Sequence, residues 1–152
     1  MTFPIQDQLD QIKNAIESAN QKVIFSAIRH YYPGSGNVNE ETTITYDEAN
    51  VNVGGGMDAG SGNFTVPVSG IYSFSFRGSS QFKKLETGLE VRKNNAKQFY
   101  TLFRSEGKYD FLSTNWIMNL SQNDVISLYI SVGGLAVYGH PVFFDGHLVM
   151  KQ

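Results

Sequence analysis

The residues of this sequence that could carry catalytic or metal-binding chemistry are few and widely separated. The three histidines, His30, His140 and His147, show none of the spacings of a metal site, and the 152 residues include no cysteine. No nucleophile elbow, His-Glu-x-x-His helix or dinucleotide fingerprint occurs, and the glycine run at 54–56 lacks the Lys-Ser/Thr of a phosphate loop. We therefore predict that the protein is not an enzyme.

Binding chemistry is better represented, in four turn-rich segments with aromatic and cationic side chains. Aromatic faces can stack on sugar rings, and cations can pair with carboxylates such as that of sialic acid, or with phosphates. The segments are 30–38, 79–87, 104–109 and 133–141. The candidate ligand-binding residues are Tyr31, Tyr32, Lys83, Lys84, Arg104, Lys108, Tyr109, Tyr138 and His140. Exposed loops also carry such residues without binding anything, and this alternative stays open.

The elements that must position these segments are β-strands. In 64–76, β-branched and aromatic residues alternate with others on both sides of Gly70, which predicts two strands joined by a sharp turn, a hairpin-like core. Other strand-like segments are 23–29, 42–53, 88–93, 98–104, 109–120, 125–132 and 142–150. The turn residues at 93–95, 105–107, 121–124 and 133–134 are compatible with hairpins. Nine or ten short strands predict an all-β sandwich or jelly roll.

Charge and hydropathy exclude two classes of partner. The formal net charge of −2 provides no basic surface for nucleic acid, so we expect no nucleic-acid partner. No apolar run approaches the ~18 residues that a membrane-spanning helix needs, so we expect no membrane insertion.

The N-terminal segment has a heptad pattern. Its apolar residues fall at alternating spacings of four and three, at Ile5, Leu9, Ile12, Ile16, Ala19 and Val23. Leu or Ile at position a with Ile at d favours trimers or tetramers over dimers, so we predict that Ile5, Leu9, Ile12 and Ile16 mediate trimerisation. The alternative is an amphipathic helix packed on its own domain, because fewer than three heptads are marginal alone.

The stretch 46–76 resembles the signature of the globular C1q domain of complement. The residues that match at the family's spacings are Asn52, Phe64, Gly70, Tyr72, Phe74 and Phe76. Tyr46 stands where the family usually has Phe, and Met57 where it has an aromatic residue or Leu. The segments 23–29, 120–125 and 144–148 look like the family's first strand, a later turn and its closing strand, so the resemblance covers 23–152.

The resemblance implies a ten-stranded jelly roll similar to tumour necrosis factor, secreted and assembled as a homotrimer. We therefore expect residues 1–22 to form a short coiled-coil or helical segment, in place of the family's collagen-like stalk, and 23–152 to form the C1q-like domain. No signal-peptide pattern begins the chain, so a secreted protein would have lost its signal. Asn63 and Asn119 begin triplets that can accept glycans, although such triplets also occur by chance.

Some members of this family hold calcium near the trimer apex. Calcium needs several clustered oxygen ligands, whereas Asp58, Asp110 and Asp145 are isolated in the sequence. Calcium therefore stays open, and no residue is assigned to a metal.

Strand direction places the candidate loops together. If the stalk enters and the C-terminus leaves at one end, every second connection lies at the other, exposed end. The resemblance then implies a lectin-like innate-immune protein that binds sialic acid, microbial polysaccharide or lipopolysaccharide through several weak sites. A ligand for a protein receptor, or a synaptic-organiser-like module, is the first alternative. A structural trimerisation head is the second.

Overall fold

The computed structural model describes residues 4–152. One helix, α1 (Pro4–Ala19), precedes thirteen strands. In chain order the strands are β1 (Ile24–Arg29), β2 (Val38–Asn39), β3 (Thr42–Thr43), β4 (Glu48–Val53), β5 (Met57–Asp58), β6 (Asn63–Thr65), β7 (Gly70–Ser79), β8 (Glu86–Lys93), β9 (Ala96–Arg104), β10 (Phe111–Leu120), β11 (Val125–Val132), β12 (Gly134–Leu135) and β13 (Val142–Lys151).

Two antiparallel sheets form a sandwich of the jelly-roll class, as predicted. The five-stranded sheet has the order β10-β7-β13-β1-β4, and the six-stranded sheet has the order β5-β6-β11-β8-β9. β3 pairs with β11, and β2 pairs with β12 in a small third sheet. Inward and outward side chains alternate along β7 and β10, as the sequence pattern requires.

Aromatic rings from both sheets fill the core. Phe25 stacks on Phe64 with ring centres 4.6 Å apart and meets Phe144 edge to face at 5.0 Å. The signature residues Phe64, Tyr72, Phe74 and Phe76 are buried, as the sequence analysis expects. Burial of one such side chain contributes about 1.5–3 kcal/mol, so this cluster supplies a large part of the stability of the sandwich.

The predicted hairpin around Gly70 is wrong. β6 pairs with β5 and β11, whereas β7 pairs with β10 and β13, so the chain crosses from one sheet to the other before Gly70. Gly70 is required for a different reason, because a Cβ there would collide with the carbonyl of Met150 on β13. Alternation identifies strands and their buried faces, but it does not identify the partner of a strand.

Of the four predicted hairpin connections, only the one at 93–95 joins paired strands. Asn94 and Asn95 adopt φ values of 53° and 66° between β8 and β9, as a two-residue hairpin turn requires. The connections at 105–107, 121–124 and 133–134 instead lead into strands of another sheet. The segment 42–53 also divides, because β3 joins β11 and β4 joins β1.

The helix is shorter than the predicted heptad seam. It ends at Ala19, and Val23 lies in the core of the sandwich rather than on the helix. The alternative of a helix packed on its own domain is not what the structure has, since no residue of α1 is buried and Ile5, Leu9, Ile12 and Ile16 are all exposed. The division into residues 1–22 and 23–152 stays a prediction. Residues 1–3 of the first segment lie outside the described residues.

Candidate functional site

Both termini of the sandwich lie at one end, and four loops close the other. The N–H of Leu148, near the end of β13, donates to the carbonyl of Val23, just before β1, at 2.9 Å. At the opposite ends of these strands, Arg29 pairs in register with Val142. We call this end, opposite to α1, the far end. The segments 30–38, 79–87, 104–109 and 133–141 all lie there.

Hydrogen bonds tie these four loops into one platform. The side-chain amide of Gln81 donates to the carbonyl of Val38 at 3.0 Å, and its backbone N–H donates to the carbonyl of Gly134 at 3.2 Å. The hydroxyl of Ser80 donates to the carbonyl of Lys108 at 2.7 Å. The backbones of the four loops are therefore linked to one another by hydrogen bonds, and the loop side chains project from this linked surface.

Arg29 holds the first loop from below. Arg29 follows Phe25 and Ala27 at two-residue spacing on β1, so its side chain points inward as theirs do. Its guanidinium donates to the carbonyl of Gly36 at 2.7 Å and to the hydroxyl of Thr45 at 2.9 Å. Burial lowers the pKa of Arg29, and the nearby Asp47 carboxylate partly offsets this effect. The sequence analysis missed this role, although the parity of β1 indicates it.

Asp47 holds the same loop from the side. Its Oδ2 accepts a 2.6 Å hydrogen bond from the backbone N–H of His30, and its Oδ1 accepts one from the hydroxyl of Ser35. Partial burial alone would raise the pKa of Asp47, but these hydrogen bonds and the charges of His30 and Arg29 lower it below its ordinary value. The loop is therefore fixed by a carboxylate on one side and a guanidinium on the other.

Three of the predicted residues form a tyrosine group. Tyr31 and Tyr138, from the first and last loops, meet edge to face with ring centres 5.0 Å apart. Tyr32 beside them is 87% exposed. Together with His30 and Pro141 they line an open, shallow pocket of about 500 Å³. The structure thus brings Tyr31, Tyr32 and Tyr138 together at a surface that suits a flat ligand.

A second group is a row of four rings, which we call the aromatic row. Tyr109 lies parallel to Phe82 and to His140, with ring centres 5.9 Å apart in each case, and Phe111 meets His140 edge to face at 6.1 Å. Phe82, Tyr109 and Phe111 are all exposed. The sequence analysis named Tyr109 and His140 but missed Phe82 and Phe111. The parity of β10, in which Leu112 points inward, would have placed Phe111 outside.

The predicted cations lie apart from these rings for the most part. Lys83, Lys84 and Arg104 line a separate open pocket, in which Arg104 pairs with Glu86 at 3.0 Å. The ammonium of Lys83 lies 5.7 Å from the centre of the Phe82 ring, which places it at the end of the aromatic row. Lys108 is exposed next to Tyr109. Eight of the nine predicted residues therefore fall into three neighbouring groups, with Lys108 outside them, and the structure does not gather the nine into one pocket.

Comparison with protein families explains this architecture. The family model described as C1q domain matches residues 24–149. The chain belongs to the C1q domain family. Human complement C1q tumor necrosis factor-related protein 2 is 32% identical to it over 114 residues, which are 74% of this chain and 38% of that protein. Related protein 3 of human and mouse is 26% identical over 118 residues, covering 74% of this chain and 47% of each relative. This C1q-domain chain therefore spans less than half of the length of these relatives.

Solved structures show the same fold for this C1q domain. The globular domain of zebrafish complement 1qA superposes with a TM-score of 0.69 at 19% identity, covering 86% of this chain and 99% of that one. Murine APRIL at pH 5.0 superposes with a TM-score of 0.67 at 15% identity, covering 84% and 99%. Eiger TNF of S. frugiperda superposes with a TM-score of 0.63 at 11% identity, covering 88% of this chain and 96% of that one.

The polar signature residue of this C1q domain closes a turn. The Nδ2 of Asn52 donates to the carbonyl of Met57 at 2.9 Å, and its Oδ1 accepts from the N–H of the same residue at 3.2 Å. The side-chain amide thus pairs like a backbone strand across the glycine run at 54–56. Met57 is itself buried, so its flexible side chain fills the core at this point.

The outer face of the five-stranded sheet is apolar towards the helix and polar at its centre. Ile117 on β10 is 65% exposed there, and Val51, Val53 and Ile24 are exposed as well. Asn119, which begins one of the two triplets that can accept glycans, points outward on the same face. With the exposed seam of α1, this C1q domain has two apolar surfaces without a partner among residues 4–152.

The centre of that face contains a serine, a carboxylate and a histidine without catalytic geometry. Ser26 donates its hydroxyl to Asp145 at 2.5 Å rather than to His147, so the three side chains do not form a serine–histidine–carboxylate relay. Within residues 4–152, no three His, Cys, Asp or Glu side chains are grouped as metal ligands. Asp58 and Asp110 instead accept local hydrogen bonds from Ser61 and from the N–H of Glu106. No helix of the described chain is long and apolar enough to cross a bilayer.

Proposed function

We propose that the chain is an extracellular, non-enzymatic recognition protein that forms a homotrimer and binds a protein partner through the aromatic row at its far end. The aromatic row carries this proposal. Exposed aromatic rings on a connected backbone lose little conformational entropy on binding, and such residues dominate the energetics of protein interfaces. Lys83 at one end of the row would pair with acidic groups of the partner.

The relatives support a protein partner over a glycan. Their names relate them to tumor necrosis factor, and TNF appears again among the similar folds. In the aromatic row the Tyr109 ring lies nearly parallel to both Phe82 and His140, which reduces the ring face that Tyr109 can offer to a sugar. Ring stacking on sugars needs open faces, so the row suits apolar protein side chains better.

The two unpartnered apolar surfaces support the trimer in this proposal. The seam of α1 exposes Ile5, Leu9, Ile12 and Ile16, and assembly would bury them along with the outer sheet face around Ile117. A helix of 16 residues is too short to hold a coiled coil by itself, so the heads and the helices must associate together. A trimer presents three far ends in one direction, which raises apparent affinity for a clustered partner by about 10²-fold or more.

The tyrosine group supports a second candidate function. Tyr32 and Tyr138 are 87% and 72% exposed beside a shallow pocket, and exposed aromatic rings next to an open pocket can stack on sugar rings. The ligands would be sialic acid or microbial polysaccharide and lipopolysaccharide, bound weakly at each head and tightly by the trimer. This reading uses different residues from the first, so the two can be separated.

Binding measurements on matched variants test both functions. The purified trimer is applied to an array of receptor ectodomains and to a glycan array, with Tyr109→Ala, Tyr138→Ala and the control Tyr100→Ala. Tyr100 is also an exposed tyrosine, but it lies in the middle of β9, away from the far end. We expect an ectodomain to bind wild type and Tyr100→Ala and to lose at least about tenfold in affinity for Tyr109→Ala.

The glycan array identifies the alternative. Glycan binding that is lost in Tyr138→Ala and kept in Tyr109→Ala would favour the second function. Partner binding that survives both far-end variants would contradict the proposed site. Silence on both arrays would leave the domain as a trimerisation head only.

A further inference from the structure

We infer that Asn63 carries an N-linked oligosaccharide and that Asn119, which begins the other acceptor triplet, stays unmodified. Each asparagine is followed two positions later by a hydroxyl residue, Thr65 in one case and Ser121 in the other. The triplets alone do not separate the two positions, whereas the sheets on which they lie do. This assignment rests on the proposed function, in which the chain is extracellular and trimeric.

Asn63 points away from the core on a strand that the core fixes. It begins β6, in which the ring of Phe64 is fully buried and stacks on Phe25 with ring centres 4.6 Å apart. Successive side chains of a strand leave opposite faces, so Asn63 and Thr65 both project from the outer face of the six-stranded sheet. The amide and the hydroxyl of the triplet therefore lie on one outward face.

The side-chain amide of Asn63 holds no part of the fold together. The amides of Asn52 and Asn94 donate hydrogen bonds of 2.9 and 3.1 Å that close turns. Within residues 4–152, no hydrogen bond engages the side chain of Asn63, and its backbone N–H donates to the hydroxyl of Ser61. Its neighbour on the two-residue edge strand β5 is the exposed Asp58. A sugar on the amide nitrogen of Asn63 therefore displaces no hydrogen bond of the described chain.

The outer face of the six-stranded sheet stays in solvent when the proposed trimer forms. That trimer buries the outer face of the five-stranded sheet around Ile117, together with the seam of α1. The two sheets of the sandwich pack by their inner faces, so their outer faces point in opposite directions. An oligosaccharide on Asn63 therefore extends outward from the assembled trimer.

Asn119 lies on the face that assembly covers. It pairs in register with Ile71 on β7 and follows Ile117, which is 65% exposed on the same face of β10. A bulky, hydrated oligosaccharide at this position would hold the heads apart and keep the apolar face in water. A chain that assembles through this face therefore has to leave Asn119 unmodified.

The attachment point on Asn63 is remote from the far end. β6 pairs with the beginning of β11, where Val125 is in register with Thr65 and Ile126 with Phe64. The far-end segment 133–141 follows the opposite end of β11. At about 3.3 Å per residue, the strand between them spans roughly 20 Å. The aromatic row and the tyrosine group therefore lie away from the first sugar.

The modification is a group transfer from a lipid-diphosphate-linked oligosaccharide. The Nδ2 atom of Asn63 attacks the anomeric carbon of the first sugar. The bond from that carbon to the diphosphate oxygen breaks, an N-glycosidic bond forms, Nδ2 loses one proton and the lipid diphosphate leaves. The oligosaccharyltransferase of the secretory pathway performs this step, so the chain has to supply only the acceptor triplet.

Expression of the full chain behind a cleavable secretion signal in animal cells tests the inference. The protein is recovered from the cells and from the medium and treated with peptide N-glycosidase in heavy-oxygen water, which converts each glycosylated asparagine into a labelled aspartate. Mass spectrometry of the peptides then locates the label. We expect label at Asn63 and none at Asn119. Because the signal is supplied, the native location of the chain does not affect this result.

Matched variants assign the label to the triplet. Thr65→Val removes the hydroxyl but keeps Asn63, and it should abolish the label, whereas Thr65→Ser should retain it. Asn119→Gln should give the same label as wild type. An unlabelled Asn63 in both wild-type fractions, or label at Asn119 in the secreted protein, would overturn the inference.

Light scattering of the secreted chain distinguishes a failure here from a failure of the proposed trimer. Label at Asn63 on a protein with the mass of one chain would remove the trimer and keep Asn63 as the acceptor. A trimer without label at Asn63 would remove the oligosaccharide and keep the proposed assembly.

Discussion

Asp47 accepts a 2.6 Å hydrogen bond from the backbone N–H of His30, the first residue after β1. This contact turns the chain into the loop that carries Tyr31 and Tyr32. The same carboxylate accepts from Ser35, so a single charged group spans the loop. The loop that carries the tyrosine group is therefore held by a carboxylate that lies outside the group.

The ionisation of Asp47 predicts acid sensitivity. The pKa of Asp47 is lower in the folded chain than in the unfolded one. Its contribution to the free energy of unfolding is therefore complete above the unfolded pKa of about 3.9 and is lost as the pH falls through the folded pKa. Asp47→Asn should lower the free energy of unfolding by about 1–3 kcal/mol at neutral pH. It should also make stability fall less steeply as the pH is lowered. The pKa of Asp124 is lowered mainly by the hydrogen bond from the N–H of Ser121, so Asp124 would account for part of the loss of stability at low pH that remains in the variant.

Urea unfolding from pH 2.5 to 7 measures this effect. Asp58→Asn is the control, because Asp58, the last residue of β5, also accepts a hydrogen bond from a serine, Ser61. An Asp47→Asn variant as stable and as acid-sensitive as wild type would show that the loop is held by other contacts.

Tyr46 and Tyr72 should respond in opposite directions to loss of their hydroxyls. The hydroxyl of Tyr46 is buried with no hydrogen-bond partner in residues 4–152, whereas the hydroxyl of Tyr72 donates to the carbonyl of Val68 at 2.6 Å. Tyr46→Phe should therefore stabilise the fold by about 1 kcal/mol, and Tyr72→Phe should destabilise it by about the same amount. Denaturant midpoints decide this, and a destabilised Tyr46→Phe would reveal an unseen partner for the hydroxyl.

Gly146 on β13 leaves room for two rings of the core. A Cβ at this position would lie 2.5 Å from the Phe25 ring and 2.7 Å from the Phe74 ring. Gly146→Ala should cost about 1–3 kcal/mol in the free energy of unfolding, because the core has to open around the methyl group. At Gly60 the nearest atom to an added Cβ is 3.9 Å away, so Gly60→Ala should be neutral within about 0.5 kcal/mol. Equal thermal midpoints for both variants would argue against tight packing here.

The seam of α1 should control assembly. Wild type is expected to have a light-scattering mass near three times 16.9 kDa at micromolar concentration. Leu9→Glu with Ile16→Glu places charges in the seam and should shift the protein to monomer on dilution. Gln11→Glu with Asn14→Glu adds the same charge on the opposite side of the helix and should leave the mass unchanged. A wild-type mass near that of one chain would remove the trimer from the proposed function.

The sequence determined the features that depend on local geometry. Alternation placed Phe64, Tyr72, Phe74 and Phe76 inward, because successive side chains of any strand leave opposite faces. The signature spacings identified the family, and of the four turns predicted to be compatible with hairpins, the one at Asn94 and Asn95 is a hairpin. Each of these follows from residues within one stretch of the chain, the longest of which is the signature at 46–76.

Only the tertiary structure decided which strands pair and which side chains meet. β6 and β7 are neighbours in the chain but belong to different sheets, and Arg77 meets Phe143 and Ser113 only because β7 lies between β13 and β10. Pairing depends on closing long loops around a shared core, and the alternation of one strand is equally satisfied by many partners. For the same reason, the far-end residues could be named from the sequence, whereas their division into a tyrosine group, an aromatic row and a cationic pocket could not.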